Sequence, residues 1–209
     1  MNGGSLPGSR HRTVLNIGCG PHGAGRIHSL FPPPVWREIR VDLDRGVAPD
    51  IVGSITDLSP LPDESVDAVW SSHVLEHVSR HEVLRALREV RRVLVPGGAA
   101  VIIVPDLQRV SRFVVEDRLD EVLYTAPAGD VTVCDIIFGF GAAIAAGNEF
   151  MAHRTGFTPS VLLRDLQAAG FDPILLRRRE MLELEAIAHR PLPDGRPIED
   201  SPYPAFVQK

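Results

Sequence analysis

Apolar and polar residues follow two rhythms along the chain. Short apolar, β-branched runs fall at Thr13–Ile17, Trp36–Val41, Ile51–Ile55, Val66–Trp70 and Ala99–Val104, with Gly, Pro, Asp or Ser nearby. Runs of this length closed by turn residues predict buried strands of a parallel sheet. Between them the period changes. Val83, Leu84, Leu87, Val90, Val93 and Leu94 recur at helical spacing among Arg and Glu, predicting a helix over Arg80–Leu94 stopped by Pro96-Gly97-Gly98. Another helix is predicted over about His22–Leu30, ended by Phe31-Pro32-Pro33-Pro34, because proline lacks an amide hydrogen and holds its predecessor extended. Leu58–Glu64 reads as a loop.

Further on, Asp106–Leu123 is predicted helical, and Val131–Ala146 is read as an apolar helix broken near Gly139 and Gly141. Thr158 caps and Pro159 opens a helix that runs to Ala169, where Gly170 ends it. Pro173–Arg178 and Leu182–Ala188 read as strands whose short connection, Arg179–Met181, permits an antiparallel pair at the sheet edge. Regular alternation of strand and helix argues for an α/β, doubly wound sheet.

A length of 209 residues suits one well-buried domain. The division expected is a flexible arm over 1–12, a domain over 13–190 with 107–157 as a helical insertion or lid, and a proline-rich tail over 191–209. A net charge of −5 and 6% aromatics give no electrostatic or stacking footprint for nucleic acid. No apolar run is long enough to span a bilayer, and Met1–Arg12 lacks a signal-peptide core, so no membrane partner is expected. Cys19 and Cys134 make no disulfide framework, which fits a reducing, cytoplasmic setting.

The stretch Thr13–Gly23, TVLNIGCGPHG, joins a strand, a Gly-rich turn and a helix start. Gly18 can take backbone angles closed to other residues, and Gly20 has no Cβ to bar a ligand from the main chain, so the turn suits a nucleotide-like ligand. With Asp42 some twenty residues on, the same pattern fits a nicotinamide cofactor. His73-Val74-Leu75-Glu76-His77 has an H-x-x-E-H spacing used by some zinc proteases. It follows a parallel strand without an obvious long helix, so packing or cofactor contact is the reading adopted and no metal is expected. Asn148–Phe157 mixes Glu, His and Arg, offering His153 as a general base or as a structural hydrogen-bonder. Ile136, Ile137, Phe138, Phe140 and Ile144 read as core or lid, or as the wall of an acceptor pocket or a homodimer contact.

Four segments together resemble a family: LNIGCG at Leu15–Gly20, VDLD at Val41–Asp44, LPDESVDAVWSSHVLEHV at Leu61–Val78 and LVPGG at Leu94–Gly98. The chain resembles the class I S-adenosylmethionine-dependent methyltransferases, of the compact type 11 kind. The resemblance implies a mostly parallel seven-stranded sheet with an antiparallel last strand, and S-adenosylmethionine as cofactor. It implies that Gly18, Cys19 and Gly20 lie against the cofactor's amino-acid end, beside Asn16, which stands where many relatives carry Asp or Glu. Asp42, followed by Leu43, matches the ribose-binding acid; a carboxylate suits this because it accepts without donating. Ser54, Ile55 and Thr56 match the adenine loop, and Ser72, His73 and Val74 the methionine side. The implied reaction is in-line methyl transfer to an O, N, C or S nucleophile of a small-molecule, sugar or lipid-precursor acceptor. A base is needed only if that nucleophile arrives protonated; His153 is the first candidate, followed by Asp135, Glu149 and Tyr124. Asp106 is placed facing the acceptor. An NAD-dependent oxidoreductase and a non-catalytic binder of the cofactor, the latter encouraged by the neutral Asn16, stand as alternatives.

Overall fold

The computed structural model describes residues 11–23, 27, 30–126, 128–196 and 198. The chain begins with β1 (Arg12–Ile17), β2 (Trp36–Asp42), the two-residue β3 (Ile51–Val52) and β4 (Val66–Ser72). It continues through helix α1 (Val83–Val93) into β5 (Leu94–Pro105) and helix α2 (Leu107–Val115). A hairpin of β6 (Val122–Ala126) and β7 (Gly129–Thr132) follows, then short helices α3 (Val133–Phe138) and α4 (Gly141–Ala145). Helix α5 (Pro159–Ala168) and strands β8 (Ile174–Arg178) and β9 (Glu183–His189) complete the order.

Seven strands form one sheet in the order β3-β2-β1-β4-β5-β9-β8. The first five are parallel; β9 is antiparallel to both neighbours and lies between β5 and β8. The doubly wound sheet with a reversed last strand is therefore present, and β8 is its outer edge. Strand order reverses between β1 and β4, and in such sheets ligands lie beyond the carboxyl ends of the strands at that reversal.

Alternation along the strands sends side chains to two cores. Leu15, Ile17, Val69 and Ile102 pack with Val83, Leu87 and Val90 of α1 and Leu162 and Leu166 of α5. On the other face Val14, Trp36, Ala68, Trp70, Val101 and Ile103 pack with Phe31. Ala99–Val104 is buried on both faces, which is why β5 reads as an unbroken apolar run. Arg80, just before α1, grips Asp165 of α5 with two bonds, Nη1–Oδ2 at 2.5 Å and Nη2–Oδ1 at 2.8 Å.

Several boundaries differ from those the sequence predicts. The helix expected over Asp106–Leu123 stops at Val115, and Val122–Ala126 pairs with Gly129–Thr132 instead. Val, Tyr and Thr in that run favour a pleated strand, and a turn at Ala128 brings Gly129 opposite Ala126 to close a hairpin. The helix expected over Val131–Ala146 starts at Val133, where Thr132 and Asp135 form a capping box, and breaks at Gly139 as anticipated. The third strand keeps two residues, because Ser54 turns back onto Asp57. Strand β5 begins at Leu94, so Pro96-Gly97-Gly98 is an irregularity within a strand rather than a loop. The helix expected at His22–Leu30 falls largely outside the described residues, as do most of the 1–12 arm and the end of the tail.

Candidate active site

The Gly-rich turn is fastened to the end of β2. Amides of Gly18 and Cys19 donate to the Val41 carbonyl at 2.8 and 3.2 Å, and the Gly20 amide donates to Asp42 Oδ2 at 2.9 Å. Asp42 Oδ1 accepts from the Asp44 amide at 2.9 Å. A carboxylate offers about four lone-pair sites, so the half-buried Asp42 caps two turns and keeps capacity for further donors. Gly18 sits at φ +67°, and a Cβ there would meet Val74 Cγ2 at 2.3 Å. That contact brings the turn after β1 against the loop after β4.

Asn16 is 2% exposed and donates to Glu38 Oε1 at 2.6 Å. Cys19 is buried beside Asp42, and burial pushes its thiol pKa up. Leu43 is exposed next to them. On the neighbouring loop, Ile55 is buried while Ser54 and Thr56 are half-buried and share a hydroxyl contact of 2.8 Å. Arg40 is not among the residues expected at the site. It is 7% exposed and donates to the carbonyls of Gly20 at 2.5 Å and Ala48 at 2.8 Å, and its Nη1 lies 2.5 Å from His22 Nε2. An arginine among apolar neighbours on an inner strand was the available signal.

Beyond β4 and β5 the groove changes character. Ser72 ends β4, and His73 follows at φ +54°. Its ring lies between two carboxylates, Nδ1 3.1 Å from Glu76 Oε1 and Nε2 3.0 Å from Glu183 Oε1. Burial disfavours its charge, but Glu183 and Glu76 outweigh that and push its pKa up to about 10. The charged ring then donates to both. His73 lines a cavity of about 230 Å³ with Pro105, Tyr124, Ile136, Met181, Leu182 and Glu183. Tyr124, on β6, has its phenol pKa raised by burial and by the Glu183 and Asp135 charges, which keeps it a donor. A larger concavity of about 580 Å³ lies between the 56–59 loop and α1, but none of the Gly-turn or strand-end residues lines it.

The remaining candidates separate. Asp135 accepts from the Thr132 amide and hydroxyl at 2.8 and 2.6 Å and from the Gly141 amide at 2.8 Å, so its oxygens fasten the turns around α3. Asp106 does not face an acceptor: it is fully buried, caps α2 and accepts from Arg178 Nε at 2.9 Å. Glu149 is exposed. His153 is half-buried, with Nδ1 3.0 Å from the Ile136 carbonyl. Burial is the main cause of its lowered pKa, so the ring is neutral near pH 7. It packs edge-on against His77, ring centroids 4.8 Å apart. Glu183 and Glu76, both absent from the sequence-based candidates, hold this side together.

Residues 15–102 match the family model of a methyltransferase domain. A curated relative, an uncharacterized 37.1 kDa protein in transposon TN4556 of Streptomyces fradiae, is 28% identical over 169 residues, 75% of this chain and 48% of that protein. The chain thus spans about half the length of that relative. The fold is similar to a SAM-dependent methyltransferase from Archaeoglobus fulgidus, with TM-score 0.55, 17% identity and coverage of 85% of this chain and 86% of that one. It is also similar to the Burkholderia thailandensis 1,6-didemethyltoxoflavin-N1-methyltransferase, solved with its substrate and S-adenosylhomocysteine, with TM-score 0.52, 17% identity and coverage of 88% and 72%. No helix among the described residues is long and apolar enough to cross a membrane.

Proposed function

We propose that the chain is a class I S-adenosylmethionine-dependent methyltransferase that acts on a small-molecule acceptor, methylating an O, N, C or S nucleophile seated in the 230 Å³ cavity. The observation that carries this reading is the position of His73. It lines the cavity, and its neighbour Val74 packs on Gly18 of the turn, so cavity and turn share one wall. A space of that size takes a small molecule or the end of a longer one.

Bound S-adenosylmethionine supplies an electrophilic methyl group. The residues present fit it: Asp42 has unused acceptor capacity, and Gly18 and Gly20 leave the main chain bare at positive φ. In this reading Asp42 takes the ribose hydroxyls and Gly18, Cys19 and Gly20 the amino-acid end, with Asn16 behind them. Leu43, Ser54, Ile55 and Thr56 surround the base, and Ser72 and Val74 lie on the methionine side. His73 turns its ring away toward the acceptor. Tyr124 donates a hydrogen bond to the acceptor, and closure by the 107–157 segment keeps water out. Holding the acceptor in line matters more here than a strong base.

Titration calorimetry with S-adenosylhomocysteine tests the donor half. Asp42→Ala weakens binding by about 1–3 kcal/mol, the usual cost of unpaired polar groups, with thermal unfolding recorded alongside. An undiminished affinity would remove the ribose assignment. For the acceptor half, Tyr124→Phe raises KM for the acceptor and leaves S-adenosylhomocysteine affinity unchanged.

A further inference from the structure

A second set of groups stands behind the cavity wall. The single turn Leu75–His77 and the segment 152–155 are cross-bound: His77 Nδ1 lies 3.1 Å from the Ala152 carbonyl, and the amides of Arg154 and Thr155 donate to the Glu76 carbonyl at 2.8 and 3.1 Å. Gly139 makes this approach possible, because a Cβ there would meet the Met151 carbonyl oxygen at 2.0 Å. The His153 amide then donates to the Phe138 carbonyl at 3.0 Å. These contacts gather Glu76, His77 and His153, with one ligand atom from each lying within 4.8 Å of the others.

Their hydrogen bonds leave them ready for a cation. A carbonyl can only accept, so Nδ1 of His77 and Nδ1 of His153 each carry the hydrogen, and Nε2 of each keeps its lone pair. Outer hydrogen bonds of this kind fix the tautomer and orientation of metal-ligating histidines. Glu76 is fully buried; its Oε1 holds His73 while its Oε2 has no hydrogen-bond partner among the described residues. A buried carboxylate oxygen without a donor is costly unless something positive meets it. His73 is already shared between two carboxylates, and Arg154 is exposed.

We propose that Glu76 Oε2, His77 Nε2 and His153 Nε2 bind a first-row divalent transition-metal ion, with Zn²⁺ as the first choice. Two imidazoles and one carboxylate suit zinc and its neighbours better than the all-oxygen sets of Ca²⁺ or Mg²⁺. Ligands about 2.1 Å from one tetrahedral ion lie roughly 3.4 Å apart, so binding draws the three side chains slightly inward. Three protein ligands leave a position for water or an acceptor oxygen, the pattern of catalytic rather than structural zinc. The ion takes up the His153 lone pair that a general base would use, so the base assignment for His153 in the methyltransferase reading would fall. That last step rests on the small-molecule methyltransferase reading. It also reassigns His77 and Glu76 from packing to ligation, and leaves His73, the first histidine of the H-x-x-E-H run, outside the ligand set.

The test uses the full chain, stripped with a chelator and dialysed against Zn²⁺ and, separately, Co²⁺. One equivalent of zinc is retained, and cobalt gives visible d–d absorption that zinc displaces. Glu76→Gln and His153→Ala each weaken cobalt binding more than about tenfold, the least that even outer-shell losses cost. His81→Ala, an exposed histidine on the approach to α1, binds cobalt as the parent does. No retained zinc and no cobalt spectrum in the parent protein overturns the proposal without needing any variant to fold. Equal loss in His81→Ala also overturns it, since binding would then be adventitious. S-Adenosylhomocysteine titration of the stripped protein separates the two readings: nucleoside binding without metal binding sinks this inference alone, and metal binding without nucleoside binding sinks the methyltransferase site alone.

Discussion

Around the Gly-rich turn, the contacts that matter join residues 20 to 22 positions apart: Arg40 to Gly20, Gly20 to Asp42, Asn16 to Glu38. Around His73 they reach much further, 75 positions from His77 to Ala152 and 110 from His73 to Glu183. The first region is settled inside two adjacent strands and works largely through main-chain amides and carbonyls. The second exists only once the 107–157 segment and the last hairpin have docked on the sheet. In the proposed reading these are a donor half built locally and an acceptor half built from distant segments, and the first can stay constant while the second changes.

The largest effect should come from breaking the seam between the two. Gly18→Ala forces a side chain into left-handed backbone, at about 1–2 kcal/mol, and into Val74, at a further 1–3 kcal/mol or so. Chemical denaturation reads the sum. Adding Val74→Ala should return the packing part and leave the backbone part. If the double variant is no more stable than Gly18→Ala alone, the two loops are not in the contact described.

A smaller loss is expected inside the donor half. Arg40→Met keeps the length and apolar stem of the side chain but leaves the Gly20 and Ala48 carbonyls without their donor, costing about 1–3 kcal/mol of stability. S-Adenosylhomocysteine affinity falls with it, because the turn loses its lower clamp. Unchanged affinity at reduced stability would make Arg40 a fold residue alone.

This contrast also explains what could be read from the sequence. The strands, their alternation with helices and the Gly-rich turn are signalled by apolar runs and glycines, carried by neighbours in the chain, whereas the reversed last strand and the part given to Asp42 come with the resemblance. The 107–146 region was misjudged because Val122–Ala126 is too short to show a period and its pairing partner lies across a turn. In sequence Asp135 looks like a candidate base and Asp106 like a residue facing the acceptor, yet their oxygens serve caps and an arginine, a fact set by hydrogen bonds that composition does not encode. Glu183 escapes notice for the converse reason, and Glu76 is read only as part of the packing of the H-x-x-E-H run. A glutamate near a strand end is ordinary until a histidine from another loop is laid against it.

Two histidines carry the same comparison into pH dependence, with opposite signs. His73, at the site, has a folded pKa of about 10 against an ordinary 6.5. Its ion pairs therefore stabilise the protein fully below pH 6.5, and that contribution fades as pH rises through 10. Because its side chain is 43% exposed, solvent screening holds the effect to about 1 kcal/mol. His189, in the sheet, is fully buried with its pKa pushed below 6.5 by burial. A proton there would place a charge out of reach of water, so its contribution is present above pH 6.5 and lost as pH falls through the lowered folded value. Unfolding of chelator-treated protein from pH 5 to pH 10.5 separates them. His73→Gln should differ most from the parent at the acid end and converge with it at the alkaline end, whereas His189→Gln should narrow its deficit as pH drops. A His73→Gln deficit that persists undiminished at pH 10.5 would mean that the ring is held by packing, and that Glu76 and Glu183 do not set its charge.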